Sequence, residues 1–152
     1  AGRAGRGDRP GQVIIQTVNP NHYVFDCVRE HQMDGFYDRE MTVRKKLHYP
    51  PFTRLAAVEI ESENESLAKS AASRLHRTFR RLTGPASRVE LLGPARAALY
   101  RLKNRYRWHL ILRAPGYQPL QSILGRFQEL RDLRARTGKV KITIDVDPVN
   151  LL

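Results

Sequence analysis

The residues of this chain most suited to chemistry are its arginines. Lys and Arg number 27 against 15 Asp and Glu, for a net charge of +12, and Arg outnumbers Lys 21 to 6. A guanidinium offers a planar fork of N–H donors that matches phosphate oxygens, which a point-charged ammonium cannot do. The excess is also local. Residues 64–113 carry 12 cations (Lys69, Arg74, Arg77, Arg80, Arg81, Arg88, Arg96, Arg101, Lys103, Arg105, Arg107, Arg113) and only Glu65 and Glu90 as acids, a net +10. Such a field concentrates a polyanion around the surface that carries it, and a merely solvated basic surface is the alternative.

Other chemistries find little support. Lys69-Ser70 lacks the glycines that would free backbone N–H groups to hold a nucleotide's phosphates, so no Walker loop is present and ATP turnover by this chain alone is not expected. His22, His31, His48, His76 and His109 show no metal-ligand spacing, and Asp145 and Asp147, two apart, suit a turn or edge better than a cation. The single Cys27 excludes an internal disulfide framework and a cysteine zinc site. No nucleophile–base pair emerges. No cofactor or metal is expected in this chain. With 41% hydrophobic residues, no run long enough to span a membrane and no apolar leader, the chain reads as a cytoplasmic protein with no membrane partner.

The elements that must position the arginines follow from periodicity. Residues 1–12 are Gly- and Arg-rich and read as loop, and Val13–Thr17 suits a short strand ended by Asn19-Pro20-Asn21. Residues 23–52 read as a helical linker, with Phe36, Met41 (or Glu40) and Leu47 (or Val43) turned inward, stopped by Tyr49-Pro50-Pro51-Phe52. From residue 53 the pattern is regular. Leu55–Ser62 alternates as a strand. Asn64 caps a helix carrying Leu67, Ala71, Leu75, Phe79 and Leu82. Val89–Leu92, bent at Gly93-Pro94 and continued to Leu102, and Arg105–Arg113 form a strand pair. Pro119 opens a second helix with Leu120, Ile123 or Leu124, Phe127, Leu130 and Leu133, and Lys139–Val146 is the last strand. The expected fold class is α+β: a ferredoxin-like split βαβ (βαββαβ) with a four-stranded antiparallel sheet and both helices on one face.

That topology leaves one sheet face open. Period-2 reading assigns it Glu59, Glu61, Arg105, Arg107, His109, Arg113, Lys139, Lys141 and Thr143, which either pair across strands or track a phosphate backbone. The polar side of the first helix (Lys69, Arg77, Arg80, Arg81) and the Arg96–Arg107 hairpin (Arg96, Arg101, Lys103, Arg105, Arg107) are the stronger candidates for DNA contact. The phase of Trp108 puts it with Leu110 and Leu112 in the core, which leaves Tyr100 and Tyr106 as the rings placed to stack on bases.

A series of motifs adds a resemblance. Gly2-Arg3-Ala4-Gly5-Arg6, Gly11–Thr17 with Asn19–His22, Phe36-Tyr37-x-Arg39-Glu40, Leu47-x-Tyr49-Pro50-Pro51-Phe52, Leu92-Gly93-Pro94, Arg105–Trp108 and Asp145–Pro148 occur in one order. Together they resemble the C-terminal part of the primosomal protein N′ family, the PriA-type replication-restart helicases. The resemblance implies that residues 1–22 are the tail of a second RecA-like helicase lobe, with the chain starting inside the last helicase motif. It implies that 53–152 are a C-terminal DNA-binding and docking domain. By match, Arg3 and Arg6 are the helicase-motif arginines that stabilise phosphoryl transfer, idle here without their partner lobe. ATP, Mg and structural zinc would belong to the full-length parent, a 3′–5′ helicase. The implied partners are forked and single-stranded DNA, other primosome proteins, and the acidic tail of the single-stranded-DNA-binding protein. For that tail Gln121 matches the family's contact, Tyr117 stands where the family has an arginine, and Arg113 is a possible substitute. The competing expectation is a module that captures acidic peptide tails and has little DNA affinity of its own.

Overall fold

The computed structural model describes residues 13–84, 87–132 and 139–149. By compactness the chain divides into two units, residues 1–42 and 43–152. The described part of the first unit holds α1 (Tyr23–Arg29) and the start of α2 (Met33–Lys46). His22 Nδ1 accepts from Val24 N–H at the head of α1. The Tyr23 ring lies 6.4 Å from that of Phe36, and its hydroxyl donates to Glu40. The single helical pattern expected over 23–47 is thus broken at residues 30–32, where His31 takes a left-handed φ of 54°. Of the positions expected inward, Phe36 and Glu40 are half-buried, whereas Met41, Val43 and Leu47 are exposed, and α2 buries no residue fully. Val13–Thr17 forms no strand, and Val13, Ile14 and Ile15 are exposed. A strand needs a ladder partner for its N–H and C=O groups, and none of the described strands pairs with it.

The second unit contains the remaining elements: β1 (Arg54–Ser62), α3 (Glu65–Leu82), β2 (Glu90–Leu102), β3 (Arg105–Ala114), α4 (Tyr117–Asp132) and β4 (Lys141–Val146). All pairings are antiparallel and the strand order is β2-β3-β1-β4. This is the α+β arrangement that periodicity foretold, with β1 between β3 and β4. Residues 47–53 are tied to the sheet: the Arg113 guanidinium donates to Leu47 O at 2.9 Å, and Thr53 Oγ1 donates to His48 O at 2.7 Å.

One face of the sheet and both long helices share a single core. Val58 pairs with Leu110 and Ile144, Ile60 with Trp108 and Ile142, and these positions meet Ala72, Leu75 and Phe79 of α3 and Leu120, Ile123 and Phe127 of α4. The Phe79 and Phe127 rings stack at 4.5 Å, which locks helix to helix. Each large apolar side chain buried here contributes roughly 1.5–3 kcal/mol of transfer free energy. Trp108 packs half-buried against this core, as its phase required. The outer ends of the helical stripes do not reach it: Leu67 and Leu130 are exposed.

Three local devices set the frame. Asn64 Oδ1 accepts from Leu67 N–H at 3.0 Å and starts α3. Ser62, fully buried, donates to Lys139 O and accepts from Asn64 N–H, which joins the end of β1 to the approach to β4. Asp147 accepts from Arg54 at 2.8 Å and from Leu55 N–H, clamping the far end of β4 to β1. Asp147 is therefore a sheet clamp, and among the described residues no group of three potential metal ligands forms. Within β2, Gly93 turns at φ +95°, and a Cβ there would sit 2.8 Å from His109 O, so the register shift between Leu92 and Ala95 requires glycine.

Candidate nucleic-acid interface

Cations occur on both sides of the second unit, but in opposite circumstances. On the open sheet face, antiparallel register sets Glu59 beside His109 and Glu61 beside Arg107 and Lys141. Arg107, with a side chain only 9% exposed, donates to Glu59 and to Leu99 O, with its Nε 3.6 Å from Glu61. His109 Nε2 lies 3.1 Å from Glu59. Arg105 reaches Glu63 at 3.3 Å and Glu61 at 3.9 Å, and Lys141 reaches Glu61 at 3.4 Å. Burial alone would raise the Glu59 carboxyl, but bonds from Arg107 and His109, another to Glu61, and the Arg107 charge outweigh it and hold it at about 2. At the other end of β3, Arg113 closes a two-pronged bond on Glu90 while also holding Leu47 O. Arg107 and Arg113 are thereby held on the sheet by carboxylates and backbone carbonyls, while Arg105, with a side chain 31% exposed, makes the longer ion pairs. Alternation along a strand reveals which residues share a face, but not that facing partners close upon each other.

The exposed side of α3 is the reverse case. Lys69, Arg74, Arg77, Arg80 and Arg81 are all exposed, and among the described residues none lies within ion-pairing distance of an acid. The helix keeps them together because Ala68, Ala71, Ala72, Leu75, Phe79 and Leu82 bury the opposite side. Arg80 and Arg81 also stand in the last turn, where the helix end favours positive charge. Glu65, the one acid of this helix, sits in its first turn and is engaged elsewhere.

The β2–β3 hairpin presents a third arrangement. Leu102 pairs with Arg105, leaving Lys103 and Asn104 as the two turn residues, both at positive φ (48° and 62°). That backbone matches the twist of the strands it joins. Arg101 bonds the Asn104 side chain and lies over the Tyr106 ring at 5.2 Å. Arg96 lies 4.5 Å over the Tyr100 ring. The Tyr100 hydroxyl donates to Glu65 at 2.7 Å, a bond that raises its pKa, and its ring meets those of Tyr106 and Trp108 edge-on at 5.6 and 6.2 Å. Tyr100 and Tyr106 are thus occupied by internal partners, and the hairpin offers Arg96, Arg101 and Lys103 more readily than bare rings. Lys103 and Arg101 are exposed, and among the described residues the one acid near Arg96 is Glu65, at 3.9 Å.

On α4, Tyr117 and Gln121 stand one turn apart and exposed, Tyr117 to 55%. Arg3 and Arg6 lie outside the described residues. Sequence reasoning passed over Arg126 and Ser122, which lie on α4 next to the end of α3; their i, i+4 spacing was legible, but the neighbour they face was not.

Comparison with known proteins supplies the remaining finding. Residues 45–149 match the family described as the primosomal protein N C-terminal domain. Replication restart protein PriA of Synechocystis sp. is 35% identical over 151 residues, covering 99% of this chain and 17% of that protein. The proteins of the same name from Bacillus subtilis and Treponema pallidum are 31% and 38% identical, each covering 100% of this chain and 19% and 22% of their own length. The chain spans about a fifth of the length of these relatives.

Proposed function

Because this chain belongs to the primosomal protein N C-terminal domain family, we propose that it is the DNA-binding and docking part of a replication restart helicase. DNA meets it along the exposed side of α3 and the tip of the β2–β3 hairpin. Lys69, Arg77, Arg80 and Arg81 take phosphates on the helix, and Arg96, Arg101 and Lys103 take them at the hairpin. One observation carries this reading: five cations of α3 are exposed without a carboxylate partner among the described residues, whereas Arg105, Arg107 and Arg113 of the sheet face are paired with Glu59, Glu61, Glu63 and Glu90. Unneutralised charge attracts phosphate and releases counterions, and paired charge does neither. Catalysis belongs to other parts of the parent protein, so ATP turnover measured on this chain should stay at background with or without DNA.

Titration of forked and single-stranded DNA at several salt concentrations tests the proposal. Binding at low salt with a steep negative dependence on salt is the expected outcome, and no binding at low salt removes it. A second reading has one observation in its favour: Tyr117 and Gln121 are exposed together on α4, where an acidic peptide tail could dock. Arg113 does not assist, being held by Glu90 and Leu47. Calorimetry with an acidic, Phe-terminated peptide should show weak binding that Gln121→Ala abolishes. Tight peptide binding with negligible DNA affinity would reverse the order of the two readings.

A further inference from the structure

A pocket of about 420 Å³ opens beside the last turn of α3, the start of the segment leading to β2, and the first turns of α4. Arg81 enters it from α3 and Arg126 from α4, and Ser87 and Ser122 bring hydroxyls; Leu82 and Ile123 form part of its apolar floor. Among the described residues, no acid lines it. Arginines from two separate elements therefore line one concavity with no carboxylate among its described lining residues, a local field that favours an anion. Helix ends do not decide the sign here. The last turn of α3 brings a partial negative charge and the first turns of α4 a partial positive one, each about half a unit, against two full positive charges.

Donor geometry narrows the class of anion. Ser87 Oγ already accepts from Val89 N–H, so its proton is free to be donated outward. The planar forks match the two non-bridging oxygens of a phosphodiester, and the two hydroxyls can donate to the lone pairs that the forks leave on them. The volume falls within the range of small-molecule sites, about 300–1,000 Å³, which exceeds the need of a bare ion and leaves room for an attached sugar against the apolar floor.

We propose that this pocket is a phosphoryl site, in which Arg81 and Arg126 grip one phosphate of a nucleic-acid strand while the Ser87 and Ser122 hydroxyls donate to it. The inference rests on the DNA-binding reading and deepens it. The α3 cations attract the strand over a broad surface, and the pocket fixes one phosphate in register.

The test titrates the chain at low salt with labelled oligo-thymidylate, and separately with thymidine 5′-monophosphate and inorganic phosphate. Arg81→Gln with Arg126→Gln should weaken the oligonucleotide about tenfold and make its salt dependence shallower by about one counterion. Lys139→Gln with Lys141→Gln, the same change in charge, should cost less than about twofold. Saturable binding of the mononucleotide that the arginine pair abolishes supports the site and assigns it to free phosphoryl ligands as well as to the polymer. Response to the oligonucleotide alone supports it and assigns it to the strand. Wild-type DNA binding with equal losses in the two double variants overturns the pocket and leaves the DNA reading standing. Failure of the wild type to bind DNA at all overturns both. An acidic peptide that binds, and is lost in the arginine double variant while DNA affinity is unchanged, also overturns the phosphoryl assignment. Retained circular dichroism in both variants establishes that each is folded.

Discussion

The sheet face and the outer side of α3 carry similar numbers of cations and put them to opposite use. Along β1 and β3, alternation sends Glu59 and Glu61 to the same face as Arg105, Arg107 and His109, and antiparallel register brings them within reach. Along α3, the 3.6-residue period gathers Lys69, Arg74, Arg77, Arg80 and Arg81 with no acid among them, since Glu65 is turned to Tyr100 and Arg96. One surface spends its charge on holding strands together, and the other leaves it available to solution. Net charge per segment does not separate the two cases; pairing does.

The comparison can be broken first on the sheet. Arg107→Met leaves Glu59 and Glu61 without their main partner in a half-buried setting and should cost about 3 kcal/mol, read as a lower urea midpoint. DNA affinity of the folded fraction should hardly change. A loss of DNA binding at full stability would assign Arg107 to the interface. Charge reversal of Arg77, Arg80 and Arg81 should do the converse. DNA affinity near 0.1 M salt should fall at least tenfold and the salt slope should become shallower by about two, with the urea midpoint little moved. The α3 frame itself should respond to Asn64→Ala with a loss of about 1 kcal/mol, since the Leu67 N–H loses its cap.

A further effect is one of pH. Glu59 is held at about 2, below its ordinary 4.5, so its bonds stabilise the fold fully above the ordinary value and lose that contribution as pH falls from about 4.5 toward 2. Glu59→Gln should therefore flatten the acid limb of the stability profile in that window, and an unchanged limb would show that the network does not depend on its charge.

Much of the frame was legible in residue order. The Asn64 cap, the α3 and α4 stripes, the bend at Gly93 and the alternation of β1 each carry a local signal, and the strand order follows from handed crossovers. Val13–Thr17 misled because an apolar run states a preference for burial without naming a partner strand. The linker was legible in part: Phe36 and Glu40 turn inward, but its apolar residues are too sparse to impose one face, and Met41 and Leu47 stay in solvent. The site was legible in outline only. Arg77, Arg80 and Arg81 were placed by helical spacing, but the capture of Arg105, Arg107 and Arg113 by carboxylates depends on register and rotamer. Arg81 and Arg126 line one pocket although they are forty-five residues apart in the chain, which no local pattern encodes.

The most direct test of this division reads both surfaces in one sample. A ¹⁵N-labelled chain is titrated with a short single-stranded oligonucleotide at low salt while the arginine side-chain Nε–Hε resonances are followed. The account predicts that Arg77, Arg80 and Arg81 shift and saturate together while Arg105 and Arg107 stay in place. Shifts centred on Arg105 and Arg107, or spread evenly over all five, would contradict it.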